Sequence, residues 1–565
     1  MPVKTIRKVT NRKLFWDKER ITFFVLMLFV VFLFVWHLGD IVIVDEDAAV
    51  YVRVAREVLQ TKDWITLHFN GQAWFDKPPL CIWLTALSIK FLGMNEFAFR
   101  LWHILFGIGG IIITYIIAKE LFDQRTARFS SLILATTAQY FYQVRSPLQD
   151  VPLTFFIGLS LCFFLFFIKQ KRYFFLYLLW LSLSLAVLTK GLVGIVLPGL
   201  IIAFYVIFAK KLVLLSKKSF WIHCILGFLI FLAIAAPWHI LEYIRHGKDF
   251  IDEYFLIRTF NRYLYPDLNL GDPNSIADPK WIYLPEIFVF FLPWSGFLIF
   301  AFIHILKKLF QKSSSSLFIL LWFIIILCFF SFSSGRKFPR YILSLFPALA
   351  IIVGHFWSEY LQNFKDRFLH RAMSFSSLIS LIFIIFLLAI SGFILPKLWL
   401  SNEYKPYLPI AIPFFISFGA GIVFSTMLLV IRKRRSSFVA FVVTALVSYG
   451  LLFSLGAKYI NTIHPTKDLV YELKPIIKPE DRLACYRYLP RRSFVLYIDR
   501  PAKFINDPDV LLSFFQFPGK AYCITDKKEL KQLGQWMREQ KMDFHYKIVK
   551  EKTGKVVFSN YSNKN

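Results

Sequence analysis

Apolar runs of roughly twenty residues recur along the chain from about residue 21 to residue 456, separated by polar connections. Each run is close to the ~20 residues a helix needs to cross a hydrocarbon layer of about 30 Å. The runs fall at roughly 21–38, 101–118, 129–143, 151–168, 173–189, 191–209, 220–241, 284–303, 317–333, 339–357, 374–395, 408–431 and 438–456. Two connections break the rhythm. Residues 39–100 are too polar to span, yet Val50, Val54, Ala55 and Val58 recur at helical spacing. That pattern predicts one or two helices lying in the interface plane, followed by another through 79–92. Residues 242–283 are aromatic and charged, with breakers at Pro266, Gly271, Pro273 and Pro279, and are long enough to form a lid.

From about residue 460 the pattern changes to short alternations. Leu483 to Tyr486, Phe494 to Ile498 and Ala521 to Ile524 predict strands, and Asp526 to Gln540 predicts a helix capped by Thr525 or Asp526. The reading is a polytopic α-helical membrane body over 1–456 with about 13 transmembrane helices. Interfacial helices occupy its first exoplasmic loop, and a small α/β domain over 457–565 lies outside the cytoplasm.

Charge sharpens the topology. A formal net charge of +30 by itself would suit a nucleic-acid binder, but its distribution does not. Alternate connections are uniformly basic: Lys4 to Arg20, then Lys119, Arg125 and Arg128, then Lys169, Lys171 and Arg172, then Lys210 to Lys218. The same set continues with Lys307, Lys308 and Lys312, with Lys365, Arg367 and Arg371, and with Arg432 to Arg435. Positive charge marks the cytoplasmic side of membrane proteins, so the excess is a topology signal with affinity for anionic lipid. No small-residue cleavage site follows the basic N-terminus, and the first span reads as a retained anchor. Cys81, Cys162, Cys224 and Cys328 sit in or near apolar runs as packing residues. Cys485 and Cys523 share the exported segment, where a disulfide is permitted. His68, His239 and His246 show no ligand spacing.

The charges that look out of place all fall on the opposite side. They include Asp45-Glu46-Asp47, Asp76-Lys77, Arg145, Asp150, Lys190, Arg262, Lys337 and Arg340, with Tyr341 beside the last. Carboxylates next to a membrane span are costly to desolvate and mark function. Carboxylates and cations together at a membrane boundary suit a phosphorylated lipid substrate. The cations neutralise a departing phosphate, Arg by bidentate geometry and Lys as a point charge, while a carboxylate receives a proton from the nucleophile. Plainer roles also suit single residues. Asp47 fits the N-cap of a helix starting at Ala48, and Asp150 fits a pair with Arg145. Lys190 fits a snorkelling lysine, Lys337 and Arg340 fit interface anchors, and Tyr341 fits an aromatic belt.

Several motifs occur in order: Asp47-x3-Tyr51-x4-Arg56-Glu57-x-Leu59, Asp63-Trp64, Phe75-Asp76-Lys77-Pro78-Pro79, and Arg145 with Asp150-x-Pro152. Leu188-Thr189-Lys190-Gly191, Pro237-Trp238, Pro293-Trp294 and Lys337-Phe338-Pro339-Arg340-Tyr341 follow. The set resembles the bacterial aminoarabinose transferases, lipid A-modifying polyprenyl-phosphate-sugar glycosyltransferases of the GT-C superfamily, related to protein mannosyltransferases. The resemblance covers nearly the whole membrane body. It implies a GT-C-like fold, with Asp47 as principal catalytic carboxylate and Asp150 as a supporting one. It implies donor binding by Asp76-Lys77, with room for a divalent cation on Asp76, and a phosphate pocket completed by Lys190, Arg262 and Tyr341. Tyr51, Arg145, Lys337 and Arg340 join the substrate-binding set, and Arg258 competes with Arg262 for its role. Two departures stand out: Ala48 follows Asp47 where the family often has Glu, and the shorter Asp76 stands where Glu often precedes Lys-Pro. The register through Tyr51 and Arg56 favours Asp47 over Asp45.

The implied activity is inverting transfer of a sugar, of amino-sugar type in the relatives, from a polyprenyl-phosphate donor. The acceptor is lipid A, another envelope glycolipid or a protein hydroxyl, at the periplasmic face of the bacterial inner membrane. No organic cofactor and no nucleic acid take part. A lipid-linked-sugar flippase is the main alternative; it predicts ionisable residues near the bilayer midplane and paired broken helices. A scaffold acting through the tail after 457 is the third.

Overall fold

The computed structural model describes residues 3–265, 278–363, 365–400, 405–488, 491–541 and 546–560. Eight helices among them are long and apolar enough to cross a membrane: Glu96–Leu121, Asp150–Gln170, Lys218–His246, Ser314–Phe332, Pro339–Gln362, Arg367–Phe386, Lys405–Val430 and Arg434–Ile463. Shorter apolar helices, Leu80–Leu92, Phe174–Lys190 and Val193–Phe208, pack among them. The protein is a multi-pass membrane protein. Its central element is the Pro339–Gln362 segment, whose Ala348 to Val353 are almost wholly enclosed. It lies close against the Gln124–Thr136 helix, and a Cβ added to Gly354 would meet Ser130 Oγ at 2.4 Å. Small residues at such crossings let backbones approach and van der Waals contact replace the missing hydrophobic drive.

Two predicted spans are broken. The run at 129–143 splits at Thr137 into Gln124–Thr136 and Ala138–Val144. The run at 284–303 splits into Tyr283–Phe290, a 3₁₀ turn at Ser295–Phe297 and Leu298–Phe310, because Pro293 cannot continue a helix. The breaks face each other and satisfy each other's backbone. The Ala138 amide donates to the Leu292 carbonyl at 2.9 Å, Trp294 Nε1 donates to Thr136 Oγ1 at 3.0 Å, and the Tyr449 hydroxyl donates to the Thr136 carbonyl at 3.0 Å. Irregular backbone at membrane depth is stable only when enclosed in this way.

In the 39–100 connection, helix Glu46–Thr61 begins two residues earlier than a start at Ala48 would place it. Asp45, not Asp47, is its N-cap, accepting from the Ala48 amide at 2.8 Å. A hairpin, β1 (His68–Phe69) and β2 (Gln72–Ala73), turns at Asn70-Gly71, both with positive φ, and helix Leu80–Leu92 follows. The Glu46–Thr61 helix does not present its apolar stripe to an open surface. It is clasped between Leu80–Leu92 and the C-terminal segment, with Val52, Val54 and Ala55 fully enclosed.

That segment carries β3 (Arg482–Tyr486), β4 (Lys503–Ile505), β5 (Ala521–Asp526), β6 (Lys547–Lys552) and β7 (Lys555–Ser559) in one sheet of order β4-β3-β5-β7-β6. β3 pairs parallel with β4 and β5, while β5–β7 and β6–β7 are antiparallel. Two of the three predicted strands form. The third, Phe494 to Ile498, is instead part of helix Arg491–Ile498. All its residues are buried, and a short wholly apolar run carries no period to separate helix from strand. Helix Lys527–Glu539 follows Asp526 as predicted. Cys485 and Cys523 are free thiols. The register pairs Cys523 with Ala484 and Cys485 with Ile524, so the two thiols point to opposite sheet faces. Of the long connection, Pro266, Gly271 and Pro273 lie outside the described residues.

Candidate active site

Four element ends meet at one boundary of the helix bundle. They are the first turn of Glu46–Thr61, the N-terminus of Asp150–Gln170, the C-terminus of Phe174–Lys190 and the 3₁₀ segment Pro339–Leu345. A carboxylate at a helix N-terminus and an ammonium at a C-terminus each complement the local helix dipole. Lys190 Nζ donates to Asp150 Oδ1 at 2.5 Å. Arg340 is the hub: its Nη2 donates to Asp47 Oδ2 at 2.5 Å, Nη1 lies 3.7 Å from Asp45 Oδ2, and Nε lies 3.9 Å from Asp150 Oδ2. Asp47 and Asp150 therefore share one guanidinium. Their accessibility differs: the Asp47 side chain is 36% exposed and the Asp150 side chain only 6%, so only Asp47 is open to a second molecule.

The other half of the pocket is built on Asp76. Lys77 Nζ lies 2.9 Å from Asp76 Oδ1, Arg258 Nε 3.8 Å and Arg262 Nη1 3.9 Å. Arg262 also donates to the Tyr341 hydroxyl. The Tyr341 ring is flanked by Lys190 Nζ at 4.7 Å and by the guanidinium carbons of Arg262 and Arg340 at 5.7 and 5.9 Å. Tyr51 packs against Trp74 with ring centroids 6.0 Å apart.

This geometry sets the protonation states. Burial alone would raise the Asp76 carboxyl, but Lys77, Arg258 and Arg262 hold it down at about 2. Burial pushes the Lys77 ammonium down to about 8; Asp76 opposes the change, while Arg262 and Lys190 reinforce it. Burial and the charges of Asp47 and Asp76 drive the Tyr51 phenol up, keeping it a neutral donor. Lys77 thus sits in a field of like charge that a bound anion would relieve.

The fold brings together Asp47, Tyr51, Asp76, Lys77, Asp150, Lys190, Arg262, Arg340 and Tyr341. It does not bring in Arg145 or Lys337. Arg145 donates to the carbonyls of Leu33, Phe34 and Trp36 and stacks over Phe453 at 3.8 Å. It closes the end of the first helix, whose last carbonyls have no intrahelical partner. Asp150 pairs with Lys190, not with Arg145. Lys337 donates from Nζ to the carbonyls of Ser333 at 2.8 Å and Asp278 at 3.2 Å, and so pins the turn that leads into Arg340. A divalent cation on Asp76 does not fit, because the carboxylate faces three cations and, among the described residues, joins no cluster of candidate metal ligands. Among the described residues no group of three or more His, Cys, Asp or Glu is placed to hold a metal ion. Sequence reading missed Arg492, which reaches Asp47 Oδ1 at 3.3 Å from the C-terminal segment. No motif linked it to the site.

Fold and pocket together define a class: a polytopic membrane protein of GT-C architecture with a charged pocket at one end of its bundle. Within it the chain is similar to aminoarabinose transferases in sequence and in fold. Residues 76–240 match the family described as dolichyl-phosphate-mannose-protein mannosyltransferase. The chain is 28% identical over 500 residues to an uncharacterized protein of Aquifex aeolicus, covering 87% of this chain and 90% of that one. It is 30% identical over 330 residues to undecaprenyl phosphate-alpha-4-amino-4-deoxy-L-arabinose arabinosyl transferase 1 of Pseudomonas fluorescens, with 57% of each chain covered. The match thus spans little more than half the length of that transferase. The fold superposes on the crystal structure of ArnT from Cupriavidus metallidurans bound to undecaprenyl phosphate, with a TM-score of 0.77 and 21% identity, covering 95% of this chain and 98% of that one.

Proposed function

We propose that the protein is an inverting glycosyltransferase that moves an amino sugar from a polyprenyl-phosphate donor to lipid A at the periplasmic face of the inner membrane. The observation that carries this reading is the gathering of Lys190, Arg262 and Arg340 around Tyr341, with Lys77 and Arg262 both against Asp76, next to an accessible Asp47. The relatives' donor, an undecaprenyl-phosphate-linked aminoarabinose by name, supports it. In one displacement the acceptor oxygen bonds to the anomeric carbon as the bond to the phosphate oxygen breaks, and the electron pair leaves with the polyprenyl phosphate. Lys77, Arg262 and the Tyr341 hydroxyl receive the leaving phosphate. Asp47 orients the acceptor and takes its proton where it still has one, while Arg340 fixes Asp47 relative to Asp150. A phosphate acceptor arrives largely deprotonated and demands little base catalysis.

A protein hydroxyl is the second acceptor class, favoured by the match of residues 76–240 to a protein mannosyltransferase family. A flippase is disfavoured, since the charges of the pocket sit at helix ends. The test is mass spectrometry of lipid A after incubating the purified chain in lipid nanodiscs with undecaprenyl-phosphate-linked aminoarabinose. A pentosamine increment that disappears in Asp47→Asn, with membrane insertion intact, is the expected result. Lipid A that stays unmodified by the wild-type chain, or is modified at normal rates by Asp47→Asn, refutes the reading.

A further inference from the structure

A segment from the far end of the chain closes over Asp47. Arg492, near the start of helix Arg491–Ile498, donates from Nη1 to Asp47 Oδ1 at 3.3 Å. Its Nε lies 3.5 Å from Glu46 Oε2, and its amide donates to Glu46 Oε1 at 3.3 Å. Arg340 already holds the other oxygen of the same carboxylate. Asp47 therefore stands between two guanidinium groups, one from the membrane body and one from the C-terminal segment.

The helix that carries Arg492 is anchored by contacts that do not touch Asp47. Ser493 Oγ donates to the Ile43 carbonyl at 2.8 Å. The Tyr497 hydroxyl accepts from the Ile43 amide at 2.7 Å and donates to Glu96 Oε1 at 3.1 Å. Docking and the grip on Asp47 are thus separable. A carboxylate held through one oxygen still turns about its side-chain torsions; one held through both oxygens by groups on separate elements does not.

We propose that Arg492 is a positioning residue for glycosyl transfer, fixing the Asp47 carboxylate toward the acceptor, so that the C-terminal segment completes the site. This inference rests on the transfer reading above. Two of the three guanidinium nitrogens of Arg492, Nη1 and Nε, are engaged with Asp47 and Glu46, which favours orientation of Asp47 over capture of the acceptor.

Steady-state transfer by the full chain in nanodiscs, from undecaprenyl-phosphate-linked aminoarabinose to lipid A, tests it. Arg492→Ala lowers kcat by about 10- to 100-fold while both KM values stay within about twofold. Arg492→Lys, which keeps the charge, recovers most of that loss. Tyr497→Phe, which removes both docking bonds of the hydroxyl and leaves the grip on Asp47, stays within about threefold of wild type. Wild-type kcat in Arg492→Ala, a loss confined to the acceptor KM, no recovery with Lys, or an equal loss in Tyr497→Phe overturns the assignment. Absence of product from the wild-type chain overturns the transfer reading and this inference with it. Product from wild type with unaltered Arg492→Ala turnover overturns this inference alone.

Discussion

Lys77 shows how a single residue is tuned by its pocket. Burial lowers its ammonium to about 8, far below an ordinary lysine, and the neighbouring cations Arg262 and Lys190 push the same way. A phosphate dianion binds best to the protonated form, so binding raises the ammonium again. Linkage then gives the sign: between the second phosphate ionisation, at about pH 6, and about pH 8 the affinity for undecaprenyl phosphate is full, and above that it falls by up to about tenfold per pH unit until the bound form itself titrates. Isothermal titration calorimetry across that range should show the fall in wild type and a flat profile in Lys77→Arg, whose guanidinium stays charged. Lys77→Ala should weaken binding throughout, and Lys90→Ala should leave it unchanged. A flat wild-type profile would remove Lys77 from the phosphate contact.

At the scale of elements, the Glu46–Thr61 helix is the piece whose placement matters most. It is held by a buried charge network: Arg53 Nε donates to Glu57 Oε1 at 2.8 Å, Arg53 also pairs with Asp499, and Arg56 Nη2 lies 3.1 Å from Asp499 Oδ2. Glu57 additionally accepts from the Asn70 and Gly71 amides at 2.8 and 3.1 Å, tying the hairpin to the helix. Removing one partner of such a network leaves an uncompensated buried charge, at a cost of about 3–5 kcal/mol. Arg53→Met should therefore lower the melting temperature of the detergent-solubilised protein and reduce transfer with it. An unchanged melting curve would show that Glu57 is held sufficiently by the hairpin amides. Sequence pattern foretold the helix and its apolar stripe. It did not foretell what the stripe packs against, since Val50, Val54, Ala55 and Val58 would suit a lipid surface equally well.

For the molecule as a whole, the C-terminal segment is wired into the membrane body at several points. Besides Arg492 and Asp499, Lys467 Nζ donates to Glu96 Oε1 at 2.6 Å, and Asn70 exchanges hydrogen bonds with the Ala502 backbone. A chain ending at Ile463 should still insert, because its spans are intact, yet lose transfer by at least about tenfold as Asp47 loses Arg492 and the Glu46–Thr61 helix loses Asp499. Activity of membranes carrying the truncated chain checks this, and wild-type turnover would show that the segment only covers the site.

Membrane character was determined by sequence alone, because the need to satisfy every backbone group in lipid leaves little choice but apolar helices of set length. The pocket was legible to the extent that misplaced charge is costly: Asp47, Asp76, Lys77, Asp150, Lys190 and Arg340 stand out against apolar surroundings wherever they point. Which of these charges share a pocket was decided by tertiary structure. Arg145 has the same composition-level claim as Arg340, yet it faces the carbonyls of the first helix, while Arg492, on a soluble-looking segment, reaches Asp47. Hydrogen bonds act over about 3 Å, and their partners depend on how helix ends are stacked, which no local pattern in the chain encodes.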